Sequence, residues 1–150
     1  NEGLIRRQLL QGQAGQAKVL SLFRKGIKAE QAPRVIEQDL RTLQRPFSAS
    51  LLGMGEDGHF ASMFPDFVGL PQALDPGGKA QCVMVQTAGS PHQRISLTLS
   101  ALLDSVAIVL LIFGESKRAV FESANAGGSG YPVESLLRHT TCPLTVIWSP

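Results

Sequence analysis

An apolar run over residues 106–113 (VAIVLLIF), ended by Gly114, constrains the fold more than any other feature of the sequence. A strand with one face in water alternates apolar and polar residues, whereas this run is apolar at every position. Such a run is typical of a central strand in a mostly parallel sheet that is covered on both faces. It is also far shorter than the roughly 20 residues that cross a bilayer, so no membrane partner is expected.

The segments around this strand alternate between helical and extended patterns. Helices are predicted at residues 2–11, with one apolar stripe, at 29–43, packed on a sheet, at 99–104, with Thr98 as the cap, and at 115–125 and 132–138. Strands are predicted at residues 47–52, 82–86, 106–113 and 144–148, the last of them buried. Gly and Pro predict loops at residues 68–79 and, as a flexible loop, at 127–130. This order predicts an α/β fold, an open and mostly parallel sheet with helices on both faces. No repeat or linker interrupts it, so residues 1–150 are expected to form a single domain.

Charge and cysteine content argue against several classes of function. The sequence has 14 Lys plus Arg against 12 Asp plus Glu, a net charge of +2, which gives no concentrated field for nucleic acid. Cys82 and Cys142 form no C-x-x-C pair, so neither a disulfide framework nor a zinc site is expected. His92 and His139 have no carboxylate at ligand spacing. We expect a cytoplasmic protein that uses no metal and no cofactor.

The segment after the strand at residues 47–52 is the first candidate for chemistry. Gly53, Gly55 and Gly58 match the dinucleotide fingerprint G-x-G-x-x-G literally. Glu56 and Asp57 argue against it, because two carboxylates would repel a pyrophosphate. His59 offers another interpretation, since an imidazole beyond the end of a strand, with a carboxylate two residues away, suits general base catalysis. A tight turn with a surface histidine remains the structural alternative.

The longer string around His59 resembles a known signature. Residues 52–65 (LGMGEDGHFASMFP) are similar, without a gap, to the signature of the 6-phosphogluconolactonases. Residues 94–99 (RISLTL), 114–117 (GESK), 132–137 (PVESLL) and 146–148 (VIW) resemble that family in the same order. The resemblance spans nearly the whole chain. It implies an enzyme that hydrolyses 6-phosphoglucono-1,5-lactone to 6-phosphogluconate in the pentose phosphate pathway.

The resemblance also implies roles for individual residues. His59 would deprotonate the attacking water and Asp57 would orient its ring. Backbone N–H groups near Gly55 and Gly58 are expected to be free to receive the oxyanion. Arg94 and Lys117 would hold the 6-phosphate of the substrate, the first as a planar fork and the second as a point charge.

Two alternatives stay open at this point. The sister family of aminosugar-6-phosphate deaminases/isomerases shares the Asp-Gly-His core but carries a Glu where this sequence has Phe64. The upstream Ser/Gly-rich phosphate loop and Asp-Glu-Arg segment of the lactonases are not in this sequence. Residues 1–150 are therefore expected to match the C-terminal portion of the family, to lack the N-terminal part of its sheet, and to be either part of an enzyme or a non-catalytic sugar-phosphate binding fragment. Homodimerisation could cover the open sheet edge.

Overall fold

The computed structural model describes residues 2–150, which form six α-helices and five strands. The helices are α1 (Glu2–Gln8), α2 (Ala32–Leu40), α3 (Leu70–Ala73), α4 (Leu99–Leu103), α5 (Glu115–Ala126) and α6 (Pro132–His139), with a short 3-10 helix at Gly12–Gln16. The strands are β1 (Ser50–Gly53), β2 (Cys82–Val85), β3 (Arg94–Leu97), β4 (Ile108–Phe113) and β5 (Leu144–Ser149).

Strand β4 lies in the middle of a three-stranded parallel sheet in the order β1-β4-β5. Ser50 of β1 pairs with Ile108, and Ile108 pairs on its other side with Leu144. The apolar run therefore forms the central strand, as its composition predicts. Because the three strands are parallel, their carboxyl ends lie at one edge, and the segment after Gly53 begins there.

Strands β2 and β3 form a separate two-stranded antiparallel sheet. Helix α2 packs on it, and Ile36 and Leu40 are buried with Cys82 in a small core of their own. Thr98 ends β3 and caps α4, accepting a hydrogen bond of 3.3 Å from the Ala101 N–H. Both the packing of this helix on a sheet and the Thr98 cap agree with the sequence interpretation.

The two faces of the parallel sheet differ in burial. Ile108, Leu110 and Ile112 point into the main core and are at most 1% exposed. On the other face, Phe113 of β4 is 61% exposed and Ile147 of β5 is 51% exposed. The open parallel α/β sheet with helices is confirmed, but the helices of residues 2–150 cover one face and leave the other accessible.

Several local predictions needed correction. Helix α1 is shorter than expected and buries no residue, although its apolar stripe predicts packing. The loop expected over residues 68–79 contains the four-residue helix α3. Strand β5, expected to be buried, alternates between half-buried and exposed side chains because it lies at the sheet edge. Within residues 2–150, no helix has both the length and the apolar character needed to cross a membrane.

Candidate functional site

The loop after β1 folds back on itself at the carboxyl end of the parallel sheet. Met54 and Phe60 form an antiparallel bridge, and the Gly55 N–H donates to the His59 carbonyl at 2.9 Å. The Gly58 N–H donates to the Gly55 carbonyl at 3.1 Å and closes the turn between them. The dinucleotide fingerprint needs a helix that opens at the third glycine, and here the chain returns as a bridged turn instead. The loop, residues 54–60, is called the histidine loop below.

His59 and Asp57 form the central pair of this loop. His59 Nδ1 lies 2.6 Å from Asp57 Oδ1, and the His59 backbone N–H donates to the same oxygen at 3.2 Å. Burial opposes ionisation of Asp57, but the hydrogen bonds from the His59 side chain and backbone outweigh it and lower the pKa of Asp57. An ionised carboxylate only accepts, so Nδ1 carries the proton and Nε2 is the basic nitrogen. No protein group within residues 2–150 hydrogen-bonds to Nε2.

Two glycines shape the histidine loop for different reasons. A Cβ at Gly55 would overlap His59 Nδ1 and Asp57 Oδ1, so the pair forms only because that space is empty. Gly58 has a φ of +73°, and a Cβ there would lie 2.6 Å from the Tyr131 Cβ. The Gly58 carbonyl accepts from the Val133 N–H at 3.0 Å, which ties the loop to the first turn of α6.

Among the amides near Gly55 and Gly58, which are expected to receive the oxyanion, the N–H groups of these two glycines themselves are not free. Both donate within the histidine loop, to the carbonyls of His59 and Gly55. A glycine-rich string signals exposed amides, but it does not reveal that the chain turns back and uses them. The Glu56 N–H, between them, makes no hydrogen bond within residues 2–150.

Phe64 connects the histidine loop to β3. Its ring centroid lies 4.2 Å from that of His59, with the two planes inclined by 32°. The guanidinium carbon of Arg94, the first residue of β3, lies 4.7 Å from the same Phe64 centroid. Arg94 is exposed and forms no ion pair within the described part of the chain. The structure therefore brings Arg94 beside His59 through one shared aromatic contact.

Lys117 lies in the first turn of α5 and is half-buried. It makes no ion pair with any residue from 2 to 150. Its neighbour Ser116 donates to Glu56 Oε1 at 2.7 Å, which fastens the start of α5 to the histidine loop. Lys117 thus lies on an element that contacts the loop, and within residues 2–150 its side chain forms no hydrogen bond or ion pair with Asp57, His59 or Arg94.

Sequence reasoning missed the role of Glu134 on α6. Its carboxylate accepts from the N–H groups of Gly128 and Ser129 at 2.9 Å each, from the Gly130 N–H at 3.2 Å and from the Ser129 hydroxyl at 2.8 Å. These backbone and hydroxyl hydrogen bonds lower the pKa of Glu134 to about 2. The loop expected to be flexible is therefore held by an internal anion. A glutamate four residues after Gly130 was the available signal.

Free metal-binding groups are not gathered anywhere in the described residues. No set of three or more His, Cys, Asp or Glu side chains between positions 2 and 150 is placed to hold a metal ion. Within those residues, the titratable side chain that hydrogen-bonds to the His59 imidazole is that of Asp57. The histidine loop offers the chemistry of a proton acceptor oriented by a carboxylate.

Comparisons with known proteins agree with this architecture. A family model described as Glucosamine-6-phosphate isomerases/6-phosphogluconolactonase matches residues 1–148. The 6-phosphogluconolactonase of Pseudomonas aeruginosa is 38% identical, with 100% of this chain and 63% of the relative covered. That of Mesorhizobium japonicum is 37% identical, with 100% and 63% covered. The chain therefore spans less than two thirds of the length of these relatives.

A solved structure shows the same similarity. The crystal structure of a 6-phosphogluconolactonase from Shewanella baltica superposes with a TM-score of 0.91 at 36% identity, and covers 100% of this chain and 64% of the solved one. The resemblance drawn from residues 52–65 and the later segments is confirmed by these matches. The chain belongs to the family of glucosamine-6-phosphate isomerases and 6-phosphogluconolactonases.

Proposed function

We propose that the protein hydrolyses 6-phosphoglucono-1,5-lactone to 6-phosphogluconate, a step of the oxidative pentose phosphate pathway. The observation that carries the proposal is the 2.6 Å pair of His59 Nδ1 and Asp57 Oδ1 at the carboxyl end of the parallel sheet. Open α/β sheets bind their ligands at that end. The similarity to 6-phosphogluconolactonases over the full length of the chain supports the same substrate.

In the proposed mechanism, His59 Nε2 takes a proton from water as the water oxygen attacks the lactone carbonyl carbon. Asp57 keeps the proton on Nδ1 and stabilises the imidazolium that forms. The bond between the carbonyl carbon and the ring oxygen then breaks. The ring oxygen leaves as a hydroxyl, taking the proton from His59 Nε2, and the carboxylic acid product remains.

The oxyanion that develops during the reaction and the 6-phosphate already on the substrate need separate partners. The Glu56 N–H, an amide of the turn without a backbone hydrogen-bond partner in residues 2–150, is the proposed donor to the tetrahedral oxyanion. Arg94 and Lys117 are the proposed cations for the 6-phosphate. Neither forms an ion pair within residues 2–150, so neither has to lose a carboxylate partner of the described chain before it binds an anion.

Phe64 and Met63 favour the lactonase over an aminosugar-6-phosphate deaminase/isomerase. Met63 is fully buried and Phe64 packs on His59, so neither position provides a second acid or base beside the imidazole. Opening the ring of an amino sugar and releasing its amine needs such a group. Lactone hydrolysis needs one base that returns its proton.

A cytoplasmic location is part of the proposal. Cys82 and Cys142 are free thiols, and Cys82 is buried. Burial, and to a lesser extent the charge of Glu37, raise the pKa of the Cys82 thiol to about 11, so the thiol is protonated and weakly nucleophilic at neutral pH. Free thiols of this kind are compatible with a reducing compartment.

The first test replaces the proposed base in the full-length protein. His59→Ala should lower kcat on the phosphorylated lactone by about 10²-fold or more, because the base acts mainly in the transition state. KM should change little. His139→Ala is the matched control, since His139 is exposed at the end of α6.

Three results would contradict the proposal in different ways. Activity of His59→Ala within a few-fold of the parent would remove His59 from the base role. Binding of 6-phosphogluconate without any hydrolysis by the parent would make the protein a sugar-phosphate binding module. Release of ammonia from glucosamine 6-phosphate would move it to the deaminase/isomerase branch.

A further inference from the structure

The Phe64 ring touches both the proposed base and one proposed phosphate-binding cation. It is half-buried, lies 4.2 Å from the His59 imidazole between ring centroids, and lies 4.7 Å from the Arg94 guanidinium carbon. The three side chains come from different segments: His59 from the histidine loop, Phe64 from the turn after it, and Arg94 from β3. Phe64 is therefore a common contact surface for two groups with different tasks.

His59 needs this contact because Asp57 restrains it at one point only. The hydrogen bond to Asp57 Oδ1 holds the Nδ1 edge of the ring, and no protein group within residues 2–150 hydrogen-bonds to Nε2 on the opposite edge. His59 is 28% exposed and Asp57 is 47% exposed, so the loop alone does not enclose the imidazole. The Phe64 ring packs on the imidazole and adds a second restraint on the direction of Nε2.

Arg94 needs a contact for a related reason. It is exposed and, within residues 2–150, its side chain forms neither a hydrogen bond nor an ion pair. Cations over an aromatic face are attracted by its quadrupole, and the planar guanidinium stacks there while its N–H groups stay available. The Phe64 ring can hold Arg94 without competing for the donors that a phosphate would use.

We propose that Phe64 is a positioning residue that holds His59 and Arg94 in a fixed relation, so that a lactone anchored by its phosphate presents its carbonyl to Nε2. This inference rests on the proposed lactonase function. It gives Phe64 a positive role beyond the absence of an acidic side chain at that position. It also predicts a specific requirement at this position, an aromatic ring rather than any apolar side chain.

The test compares three variants of the full-length protein on two substrates. Phe64→Leu keeps an apolar side chain and removes the ring, whereas Phe64→Tyr keeps the ring. Phe67→Leu is the matched control, because Phe67 lies three residues away and packs on the main core. Each is assayed on 6-phosphogluconolactone and on unphosphorylated gluconolactone, with thermal unfolding measured in parallel.

Removal of the Phe64 ring should affect KM and kcat differently on the two substrates. Phe64→Leu should raise KM for the phosphorylated lactone by about 2- to 5-fold, the value of an exposed cation–π contact, and leave KM for gluconolactone unchanged. It should lower kcat on both substrates, by up to about 10²-fold, because His59 is misdirected in both reactions. Phe64→Tyr should restore both constants toward the parent, and Phe67→Leu should change neither.

A second measurement isolates the contact between Phe64 and Arg94. In an Arg94→Ala background, Phe64→Leu should no longer raise KM for the phosphorylated lactone. An undiminished increase in that background, equal KM changes on both substrates, or a Phe64→Leu that behaves like Phe67→Leu would each overturn the proposal.

Failure of the lactonase assignment would be visible separately. In that case the parent protein hydrolyses neither lactone, and the affinity for 6-phosphogluconate is measured by calorimetry in the same variants. Weaker binding by Phe64→Leu that depends on Arg94 would still support the positioning of Arg94. Identical affinities for the parent and Phe64→Leu would refute it.

Discussion

At the scale of single residues, the histidine loop depends on one position where a side chain is excluded by its neighbours. Gly55 has an ordinary φ, but a Cβ would overlap the two atoms of the His59–Asp57 contact. Gly58 differs, because it combines a positive φ with the closeness of Tyr131. Gly55 is needed for the contact between His59 and Asp57, whereas Gly58 is needed for the backbone conformation of the loop.

This difference predicts that one alanine substitution lowers mainly kcat and the other lowers mainly stability. Gly55→Ala should lower kcat by about 10- to 100-fold through displacement of the imidazole, with little loss of stability. Gly58→Ala should destabilise the protein by about 1–3 kcal/mol, because it adds left-handed backbone strain and a clash. Gly77→Ala is the control, since a Cβ there meets only Asp75 Oδ1 at 3.6 Å. Chemical denaturation and steady-state kinetics on the same samples would check both; equal losses of stability would refute the distinction.

Arg94 and Lys117 predict a specificity effect rather than a general loss. Arg94→Ala or Lys117→Ala should weaken use of the phosphorylated lactone by roughly 10- to 100-fold, the value of a charge-assisted hydrogen bond. Unphosphorylated gluconolactone should be turned over nearly as before. The measurement is kcat/KM on both lactones, and equal losses on the two would assign these residues a structural role.

Residues 52–65 predicted the position of the Asp57–His59 pair because the string encodes both the strand end and the spacing of these two residues, while their catalytic roles stay predictions. The string does not encode where the loop's amides point, so it could not show that the N–H groups of Gly55 and Gly58 donate within the loop. The stacking of Phe64 with Arg94 could not be predicted from the sequence either, because it depends on how β3 packs beside the loop. Contacts within a few residues were predictable, and those set by tertiary packing were not.

At the scale of elements, Thr98 and Gly114 allowed the boundaries of α4 and α5 to be predicted, because caps are local chemistry. The separate β2–β3 sheet and the edge position of β5 depend on partners distant in sequence. Helix α1 shows the same limit, as its apolar stripe predicts burial that residues 2–150 do not provide. The type of a secondary-structure element follows from its residue pattern, whereas its burial depends on which other elements pack against it.

The contact between α6 and loop 127–130 predicts a pH effect on stability. The pKa of Glu134 in the folded protein, about 2, is below its ordinary value of 4.5, so folding favours the ionised form. Its stabilising contribution is complete above about pH 4.5 and is lost as the pH falls from there toward 2. Glu134→Gln should lower Tm at pH 7 and flatten the fall of Tm over that window. Thermal unfolding between pH 2 and pH 7 measures both.

Glu122→Gln provides the matched control for this experiment. Glu122 is exposed on α5 and accepts from Arg118 Nε at 2.9 Å, so it carries the same charge without backbone partners. Its substitution should leave the Tm profile nearly parallel to that of the parent. A Glu134→Gln profile that matches the Glu122→Gln profile would show that the loop does not depend on this carboxylate.

At the scale of the whole molecule, the parallel sheet has one buried and one accessible face. The accessible face carries Leu51, Phe113 and Ile147, which are 64%, 61% and 51% exposed. Exposed apolar side chains on the same face of three neighbouring strands differ from isolated exposed residues, which need no partner.

This surface predicts self-association of a polypeptide of residues 1–150 expressed alone. Its sedimentation coefficient should rise with concentration. Phe113→Lys combined with Ile147→Lys should reduce the association, because charges interrupt the apolar face. Val68→Lys should not, since Val68 is 94% exposed in a loop away from the sheet. A monomer at all concentrations without these substitutions would contradict the prediction.

The carboxylate of Glu134 has a further consequence for loop 127–130. The carboxylate belongs to the same chain as the amides it binds, only four residues from Gly130. Its effective concentration at these amides is therefore on the order of millimolar or higher. Free phosphate at lower concentrations cannot compete for the same amides. The three N–H groups of Gly128, Ser129 and Gly130 therefore already have an anion partner within the chain, and under the proposed lactonase function we expect a substrate phosphate to bind Arg94 and Lys117 instead.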